Sequence, residues 1–221
     1  MEWEKAEKEL RRVKVSSTGE NELVTLKGNS DAFECIGVGT DAAVFRFLQM
    51  PHLAFKVFSD DKLDKKDLEI EVYLKLGHSE YYPDYYGSGS NFLVMSYEEG
   101  TTLHDCLLKG VHIPKQVIHD VDNAIYYASK KGLNPRDIHL KNILLHQGGA
   151  KILDVSEYMK PGNDNRWYYL KEGYHEHYHL IAGKAIPLWI IETVRKWYNQ
   201  EKSENFNVQD FVKELAMLFR I

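Results

Sequence analysis

The sequence predicts an α+β fold in which a β-rich N-terminal half is followed by a mainly helical C-terminal half. Between about Leu23 and Val57, short β-prone runs such as ELVTL, FECIGVG and LAFKVF alternate with turn residues, which is typical of an antiparallel meander. A helical segment from Lys62 to Leu76 interrupts the strands, and the run NFLVMSY returns to a strand. After Gly100 helical periodicity dominates. We therefore expect an antiparallel sheet with one helix, followed by a smaller helical region.

Length and composition are those of an ordinary globular protein. The 221 residues are 43% hydrophobic and 28% charged, which is enough for one generous domain or two lobes that share a cleft. The formal net charge of -5 lacks the positive excess that drives non-specific nucleic-acid binding, so we expect no nucleic-acid partner. Cys35 and Cys106 have no metal-ligand spacing, and no apolar run approaches the length of a membrane span. We expect a cytoplasmic protein without a membrane partner.

The first residues predict an amphipathic helix. Trp3, Ala6, Leu10 and Val13 recur at helical spacing, and charged residues fill most other positions. We expect this apolar face to pack on the chain's own domain rather than on a partner protein.

The C-terminal half predicts several helices and one hairpin. The hairpin joins NILLH to AKILDV across Gly148 and Gly149. The helical segments are a short one near Leu103–Leu107 and longer ones near Pro114–Lys131, Lys184–Gln200 and Val208–Arg220.

A glycine pair lies between two predicted strands. Gly37 and Gly39 open the pattern G-x-G-x-x-A-x-V, which includes Ala42 and ends on Val44. A dinucleotide-binding loop would lie between a strand and a helix, so this context disfavours one. The backbone N–H groups of such a turn can approach phosphates, and the valine can cover an adenine ring. A purely structural hairpin turn is the alternative for this pattern alone.

A charged residue interrupts the apolar strand LAFKVF. The ammonium group of Lys56 needs an acidic partner there. The helix DLEIEVYLKLGH supplies Glu69 and Glu71, and we favour Glu69 because it shares the inward side of the helix with Leu76. Two solvated glutamates on a surface helix are the alternative.

Three further polar residues complete the pattern. Asp137 precedes Asn142 by five residues in NPRDIHLKNILL, and Asp154 ends an apolar run. One carboxylate can accept the proton of an attacking hydroxyl, while an amide oxygen and a second carboxylate suit Mg²⁺. Each residue alone is more often a cap or a turn residue. Their order, after the glycine turn, the strand lysine and the helix glutamate, indicates phosphoryl transfer.

With these motifs the chain resembles the eukaryotic-type protein kinase superfamily over about Phe33 to Ser156. The resemblance implies one protein-kinase-like domain over residues 1–221, with a bilobal fold that binds ATP and Mg²⁺ between its lobes. Residues 1–97 would form the N-lobe with its N-terminal helix, and residues 98–221 a reduced, mainly helical C-lobe.

The resemblance also implies roles for individual residues. Lys56, Glu69 and Asp137 match the catalytic residues of the family. Asn142 and Asp154 match its metal-binding pair. The implied ATP-binding residues are Gly37, Gly39, Ala42, Val44, Lys56, Met95 as the gatekeeper, and the backbone groups of Ser96 and Glu98.

Several positions depart from the family pattern. Ala42 replaces the third glycine, Pro135 replaces the usual histidine, and Asp154-Val155-Ser156 replaces D-F-G. His139 replaces a lysine and is similar to sugar and aminoglycoside phosphotransferases, whereas Arg136 is typical of protein kinases. The leading hypothesis is a Ser/Thr protein kinase. A kinase of a small hydroxylated acceptor and an ATP-binding pseudokinase are the alternatives.

The segment after Asp154 also differs from ordinary protein kinases, because no A-P-E motif follows. In this respect the chain resembles RIO kinases and the small kinase of the KEOPS complex. We expect specificity to come from docking a folded partner or a small acceptor near Arg136 and His139. The histidines of GYHEHYH are interpreted as a polar face of a helix or irregular segment rather than as a metal site.

Overall fold

The computed structural model describes residues 3–19, 22–28 and 30–200 of the chain. Its elements are, in chain order, α1 (Glu4–Leu10), β1 (Lys14–Ser16), β2 (Thr25–Lys27), β3 (Phe33–Val38), β4 (Ala42–Phe47), β5 (Leu53–Phe58), a 3-10 turn (Asp60–Lys62), α2 (Leu63–Leu76), β6 (Tyr85–Ser88), β7 (Phe92–Ser96), β8 (Thr101–Thr102), α3 (Leu103–Lys109), α4 (Lys115–Lys130), β9 (Ile143–His146), β10 (Gly149–Ile152), α5 (Arg166–Ile181) and α6 (Leu188–Gln200). This order confirms the predicted α+β fold, with an antiparallel sheet region followed by a mainly helical region.

A five-stranded sheet organises the N-terminal region, with the strand order β3-β4-β5-β7-β6. All neighbouring strands are antiparallel, and β3, β4 and β5 form the predicted meander. β5 is an inner strand, and every one of its residues is buried except the half-buried Lys56. The sheet therefore surrounds one charged side chain with apolar neighbours.

The run ELVTL does not join this sheet, contrary to the predicted meander. Thr25–Lys27 form β2, which pairs with β1 in a separate two-stranded sheet. All three residues of β2 are exposed, and only Val24, just before the strand, is buried with residues of the larger sheet.

Helix α1 packs on the chain's own sheet, as predicted. Trp3, Ala6 and Leu10 are buried in one apolar cluster with residues of β4, β5 and β7. The Trp3 ring meets the Phe92 ring edge to face, with 5.7 Å between their centroids. The charged positions of the helix remain on its outer side.

The helical region begins at α3, where two local signals set the ends of the helix. The Thr102 hydroxyl accepts the Asp105 N–H at 3.1 Å and caps the start. Gly110 ends the helix with φ +70, and a Cβ there would lie 2.8 Å from the Ala185 backbone nitrogen. Only glycine fits both the conformation and the close approach.

Several predicted boundaries in this region need correction. The hairpin turns at Gln147 and Gly148, since Gly149 already belongs to β10. The last described helix starts at Leu188 rather than Lys184, just after a proline. The segment Arg166–Ile181, which contains GYHEHYH, forms a full helix that the sequence left undecided. The helix predicted over Val208–Arg220 lies outside the described residues.

A second apolar cluster joins the two regions. It combines residues of α2, β4, β5 and β7 with residues of α3, α4, β9 and β10. None of the helices in the described part of the chain is long and apolar enough to cross a membrane.

The packing of α1 predicts the effect of truncating Trp3. Trp3→Ala should lower the free energy of unfolding by about 3–5 kcal/mol, because a buried indole is removed from a packed cluster. Urea denaturation measures this change. Leu74→Ala, at a site 66% exposed, is the control and should change stability by about 0.5 kcal/mol or less. Equal effects of the two substitutions would contradict the packing of α1 on the sheet.

Candidate active site

Lys56 and Glu69 form an ion pair between β5 and α2. The Lys56 Nζ lies 2.8 Å from Oε1 and 2.7 Å from Oε2 of Glu69. The Glu69 side chain is fully buried, and that of Lys56 is 11% exposed. Glu71, the other candidate, is half exposed and pairs instead with Lys75 at 3.0 Å. The helix therefore turns Glu69, and not Glu71, toward the strand.

Asp154 brings a second carboxylate to the same ammonium group. Its Oδ1 lies 3.3 Å from Lys56 Nζ and accepts the Ser156 N–H at 3.0 Å. Partial burial opposes its ionisation, but Lys56 and the Ser156 N–H outweigh this and lower the pKa of Asp154. Burial likewise acts against the charged form of Lys56, but Asp154 and Glu69 raise the pKa of the ammonium group. Lys56 is therefore positively charged at neutral pH.

Asp137 lies in the loop between α4 and β9 with φ +57, a left-handed conformation that few non-glycine residues adopt. Two hydrogen bonds hold it there. Its N–H donates to Asp164 Oδ2 at 2.8 Å, and its carbonyl accepts from Asn142 Nδ2 at 3.1 Å. Because Asn142 uses its amide nitrogen here, its oxygen is the atom left to bind a metal.

The carboxylate of Asp137 lies in a strongly charged environment. Arg166 Nη1 donates a hydrogen bond to its Oδ1. Burial raises the pKa of Asp137 to about 6, although Arg166 lowers it, and Asp154, Asp164 and Glu157 add to the rise. The carboxylate is therefore mostly ionised at pH 7 and can accept a hydrogen bond from a hydroxyl group.

His139 approaches Asp137 without a close contact. Its Nε2 lies 3.9 Å from Asp137 Oδ1. Its Nδ1 accepts the Lys141 N–H at 3.3 Å, which requires an unprotonated nitrogen at that position. Burial, with the charges of Arg166 and Lys141, lowers the pKa of His139 to about 4. The imidazole is neutral at pH 7.

The glycine pattern forms a tight turn between β3 and β4. The Gly39 N–H donates to the Ala42 carbonyl at 2.8 Å, and Gly37 lies opposite Val44 in the register of the two strands. A Cβ at Gly37 would lie 3.8 Å from the Val44 side chain. Neither glycine has a positive φ, so the turn requires no glycine for its backbone conformation. Here the glycines keep the strand surface free of side chains.

The predicted hinge begins at the end of β7. Met95 is buried, and the Ser96 N–H donates to the Asp84 carbonyl at 2.8 Å. The Ser96 hydroxyl donates to the Glu98 carboxylate, which also pairs with Lys151 at 3.0 Å. The Ser96 N–H is thus engaged within the protein. A ligand at the hinge would meet the Ser96 carbonyl and the Glu98 backbone instead.

Comparison with known proteins identifies the family of the chain. The chain is 35% identical over 179 residues to a Bacillus subtilis (strain 168) protein named Putative serine/threonine-protein kinase YrzF, and the alignment covers 80% of this chain and 83% of the relative. The chain belongs to this kinase-like family. No protein-family model matches it. The relative and the order of strands and helices together confirm the kinase-like bilobal fold that the motifs imply.

The candidate site contains residues that the sequence did not indicate. Asp164 and Arg166 contact Asp137 although 27 and 29 residues separate them from it in the chain. Asp41 ties the glycine turn to α2 through Lys65, at 2.6 Å. The polar run before Trp167 could have been recognised as a turn and helix start, but nothing in it indicates a contact with Asp137.

Possible metal ligands near the candidate site are few in the part of the chain that the structure describes. Among the residues described, no group of three or more His, Cys, Asp or Glu side chains could hold a metal ion. His175, His177 and His179 lie along α5. A magnesium ion bound to Asn142 and Asp154 would therefore need phosphate oxygens or waters to complete its ligands.

The ion pair of Lys56 and Glu69 predicts that Glu69 contributes more to stability than Glu71 of the same helix. Glu69→Gln should lower the free energy of unfolding by about 3 kcal/mol, because it leaves Lys56 with Asp154 as its remaining close anion. Glu71→Gln is the matched control on the same helix and should cost about 0.5 kcal/mol or less. Chemical denaturation of both variants measures the difference, and equal losses would contradict the assignment.

Proposed function

We propose that the chain is an ATP-dependent phosphotransferase that transfers the γ-phosphate of Mg-ATP to serine or threonine hydroxyls of a protein. One observation carries this proposal. Lys56, Glu69 and Asp154 form one bonded group, although Lys56 and Asp154 are 98 residues apart, and Asp137 and Asn142 are joined by a hydrogen bond in a neighbouring loop. Membership of a kinase-like family supports the same reaction.

Lys56 is suited to bind the α- and β-phosphates of ATP. Both oxygens of Glu69 hold its Nζ, so the ammonium group is fixed in place before a ligand arrives. The glycine turn of Gly37 and Gly39 would cover the phosphates with backbone N–H groups. Val44 and Met95 would contact the adenine ring.

The donor set of Asn142 and Asp154 fits a magnesium ion, since both supply hard oxygen ligands. Bound Mg²⁺ would neutralise negative charge on the transferring phosphate. Asp154 remains 36% exposed while Lys56 and Ser156 fix its orientation. Asn142 and Asp154 are thus the residues that would hold the ion.

Asp137 would orient the acceptor hydroxyl and accept its proton. Its backbone is fixed by Asp164 and Asn142, so its carboxylate has a defined position. During transfer, the bond from the acceptor oxygen to phosphorus forms while the bond from phosphorus to the leaving oxygen of ADP breaks.

A protein acceptor is favoured by Arg136, which is typical of protein kinases, and by the name of the relative. Residues 155–165 lead directly into α5, whose first residue contacts Asp137, so an extended peptide has little surface beside the base. We infer that a folded partner docks over the site, as expected for a reduced C-lobe of the RIO or KEOPS-kinase kind. The division into residues 1–97 and 98–221 of one domain is part of this proposal.

A small hydroxylated acceptor is the second candidate. His139 supports it, because the pattern D-x-H-x-x-N of Asp137, His139 and Asn142 is similar to that of sugar and aminoglycoside phosphotransferases. The acceptor on which labelled phosphate appears distinguishes the two candidates.

Substitution of the proposed base should separate chemistry from binding. Asp137→Asn should lower phosphoryl transfer by about 10²–10⁴-fold with little change in Mg-ATP affinity, because the residue positions the nucleophile. Transfer of labelled phosphate, with mass spectrometry for phosphoserine and phosphothreonine, measures activity, and calorimetry measures binding. Asp67→Asn, at an exposed aspartate of α2, is the control and should behave as the parent. Equal turnover in Asp137→Asn and the parent would rule out this role.

Removal of the proposed metal ligand should make the loss of affinity depend on Mg²⁺. Asp154→Ala should weaken Mg-ATP binding much more than binding of ATP in the presence of a chelator. Lys56→Met is the comparison variant and should weaken both, because its ammonium group contacts phosphates directly. If Asp154→Ala reduced the affinity equally with and without Mg²⁺, Asp154 would not be a metal ligand.

A further inference from the structure

The side chain of Arg166 reaches from the first turn of α5 to the proposed base. Its Nη1 donates to Asp137 Oδ1, and its Nε lies 3.6 Å from Asp164 Oδ2. A guanidinium group has five N–H donors, and these two contacts do not use all of them. The side chain is 38% exposed, so a ligand can reach the remaining donors from solvent.

A short turn sets the position of Arg166. Asn165 adopts φ +54, and its N–H donates to Asn163 Oδ1 at 2.9 Å. The Arg166 N–H donates to Asp164 Oδ1 at 3.2 Å, while the other oxygen of Asp164 accepts the Asp137 N–H at 2.8 Å. One carboxylate therefore joins the backbone of the proposed base to that of the arginine, and the two residues keep a fixed spacing.

The position of α5 does not depend on the Arg166 side chain. The neighbouring Trp167 donates from its Nε1 to Asp122 Oδ1 at 2.8 Å. Lys171 Nζ pairs with Asp122 Oδ2 at 2.6 Å. These bonds hold the helix against α4, so the contact of Arg166 with Asp137 is not required to anchor it.

The charge balance around the base is negative without this arginine. The charged groups that act most strongly on Asp137 are one cation, Arg166, and three anions, Asp154, Asp164 and Glu157. A triphosphate would add further negative charge at the same place. Preorganised cations that meet the developing charge are a main source of catalysis in phosphoryl transfer.

His139 does not supply a positive charge beside Asp137. Its Nδ1 accepts a backbone N–H, so the ring is in its neutral form, and its Nε2 is 3.9 Å from Asp137. Arg166 approaches the same Asp137 oxygen from α5 and brings a guanidinium cation to it.

We propose that Arg166 donates hydrogen bonds to the transferring γ-phosphate and stabilises its charge in the transition state. This inference rests on the proposed phosphotransferase function. Arg166 forms and breaks no covalent bond, and the acceptor proton goes to Asp137. The contact with Asp137 keeps the guanidinium group beside the place where the acceptor oxygen and the phosphate meet.

Nucleotide binding tests this role without turnover. Arg166→Ala should weaken ATP about 10-fold relative to ADP, because the lost contact is to the γ-phosphate alone; one hydrogen-bonded charge contact is of this size. Calorimetry with Mg²⁺ measures both nucleotides. Arg195→Ala removes an exposed arginine of α6 that pairs with Glu192 and should leave the ratio of the two affinities unchanged.

Turnover provides the second test. Arg166→Ala should lower kcat by about 10³-fold, the lower end of the effect of an arginine on phosphoryl transfer, and Arg166→Lys should retain part of the activity. His139→Lys in the Arg166→Ala background should also restore part of kcat, because it places an ammonium group near the same Asp137 oxygen. Circular dichroism should show an unchanged fold in each variant.

The outcomes distinguish this role from others. Higher turnover in Arg166→Ala would mean that the arginine blocks Asp137, and this would overturn the inference. An unchanged ratio of ATP to ADP affinity would overturn it as well and leave the proposed function intact. A parent protein that binds no ATP would overturn the proposed function itself, and the inference with it.

Discussion

Lys56 carries a positive charge into an apolar strand, and an ammonium group in such a place is stable only beside an anion. Glu69 of α2 supplies this anion, and the pair fixes how the helix lies against the sheet. Asp154, two residues after β10, supplies a second anion and so connects the sheet to the helical region. One buried charge thus determines the relative placement of three elements. The apolar cluster shared by both regions stabilises the same arrangement without specifying which polar atoms meet.

Weaker charge contacts extend this arrangement to the rim of the site. Asp41 and Lys65 link the glycine turn to α2, but both are partly exposed, so their pair contributes little to stability. Its effect is to keep the turn near the helix while the turn stays open to solvent. Asp164 has a comparable role at the other side, where it joins the backbone of Asp137 to the start of α5. The site therefore combines one buried ion pair with partly exposed ion pairs and hydrogen bonds around it.

The sequence predicted those parts of the fold and site that depend on local periodicity. The pairing of Lys56 with Glu69 followed from an apolar strand and the inward side of a helix. The sheet meander and the packing of α1 likewise followed from alternating or helical apolar positions. β1 and β2 were different, because each has three residues, too few to show an alternating pattern, and those of β2 are all exposed.

The contact of Arg166 with Asp137 could not have been predicted in the same way. It joins residues 29 positions apart through a turn whose left-handed Asn165 has no unique sequence signal. Helix α5 itself was left undecided because only Tyr178 among its residues is buried, so aromatic and polar residues alternate without an apolar stripe. The residues near the proposed base that the sequence missed are held by tertiary contacts rather than by local patterns.

The segment after Asp154 restricts how far the Asp154 carboxylate can move. Val155 is fully buried, and the Ser156 N–H holds the Asp154 carboxylate in place. In the sequence D-F-G, glycine allows the backbone to reach positive φ, whereas Ser156 restricts it. Between Asp154 and Leu180 the chain has no threonine and only Ser156 as a serine, so Ser156 is the one site for a switch by serine or threonine phosphorylation in this segment. Asp154, Lys56 and Glu69 are therefore already in contact without a switch. In the proposed function, control over the reaction would then come from the partner that brings the acceptor hydroxyl to Asp137.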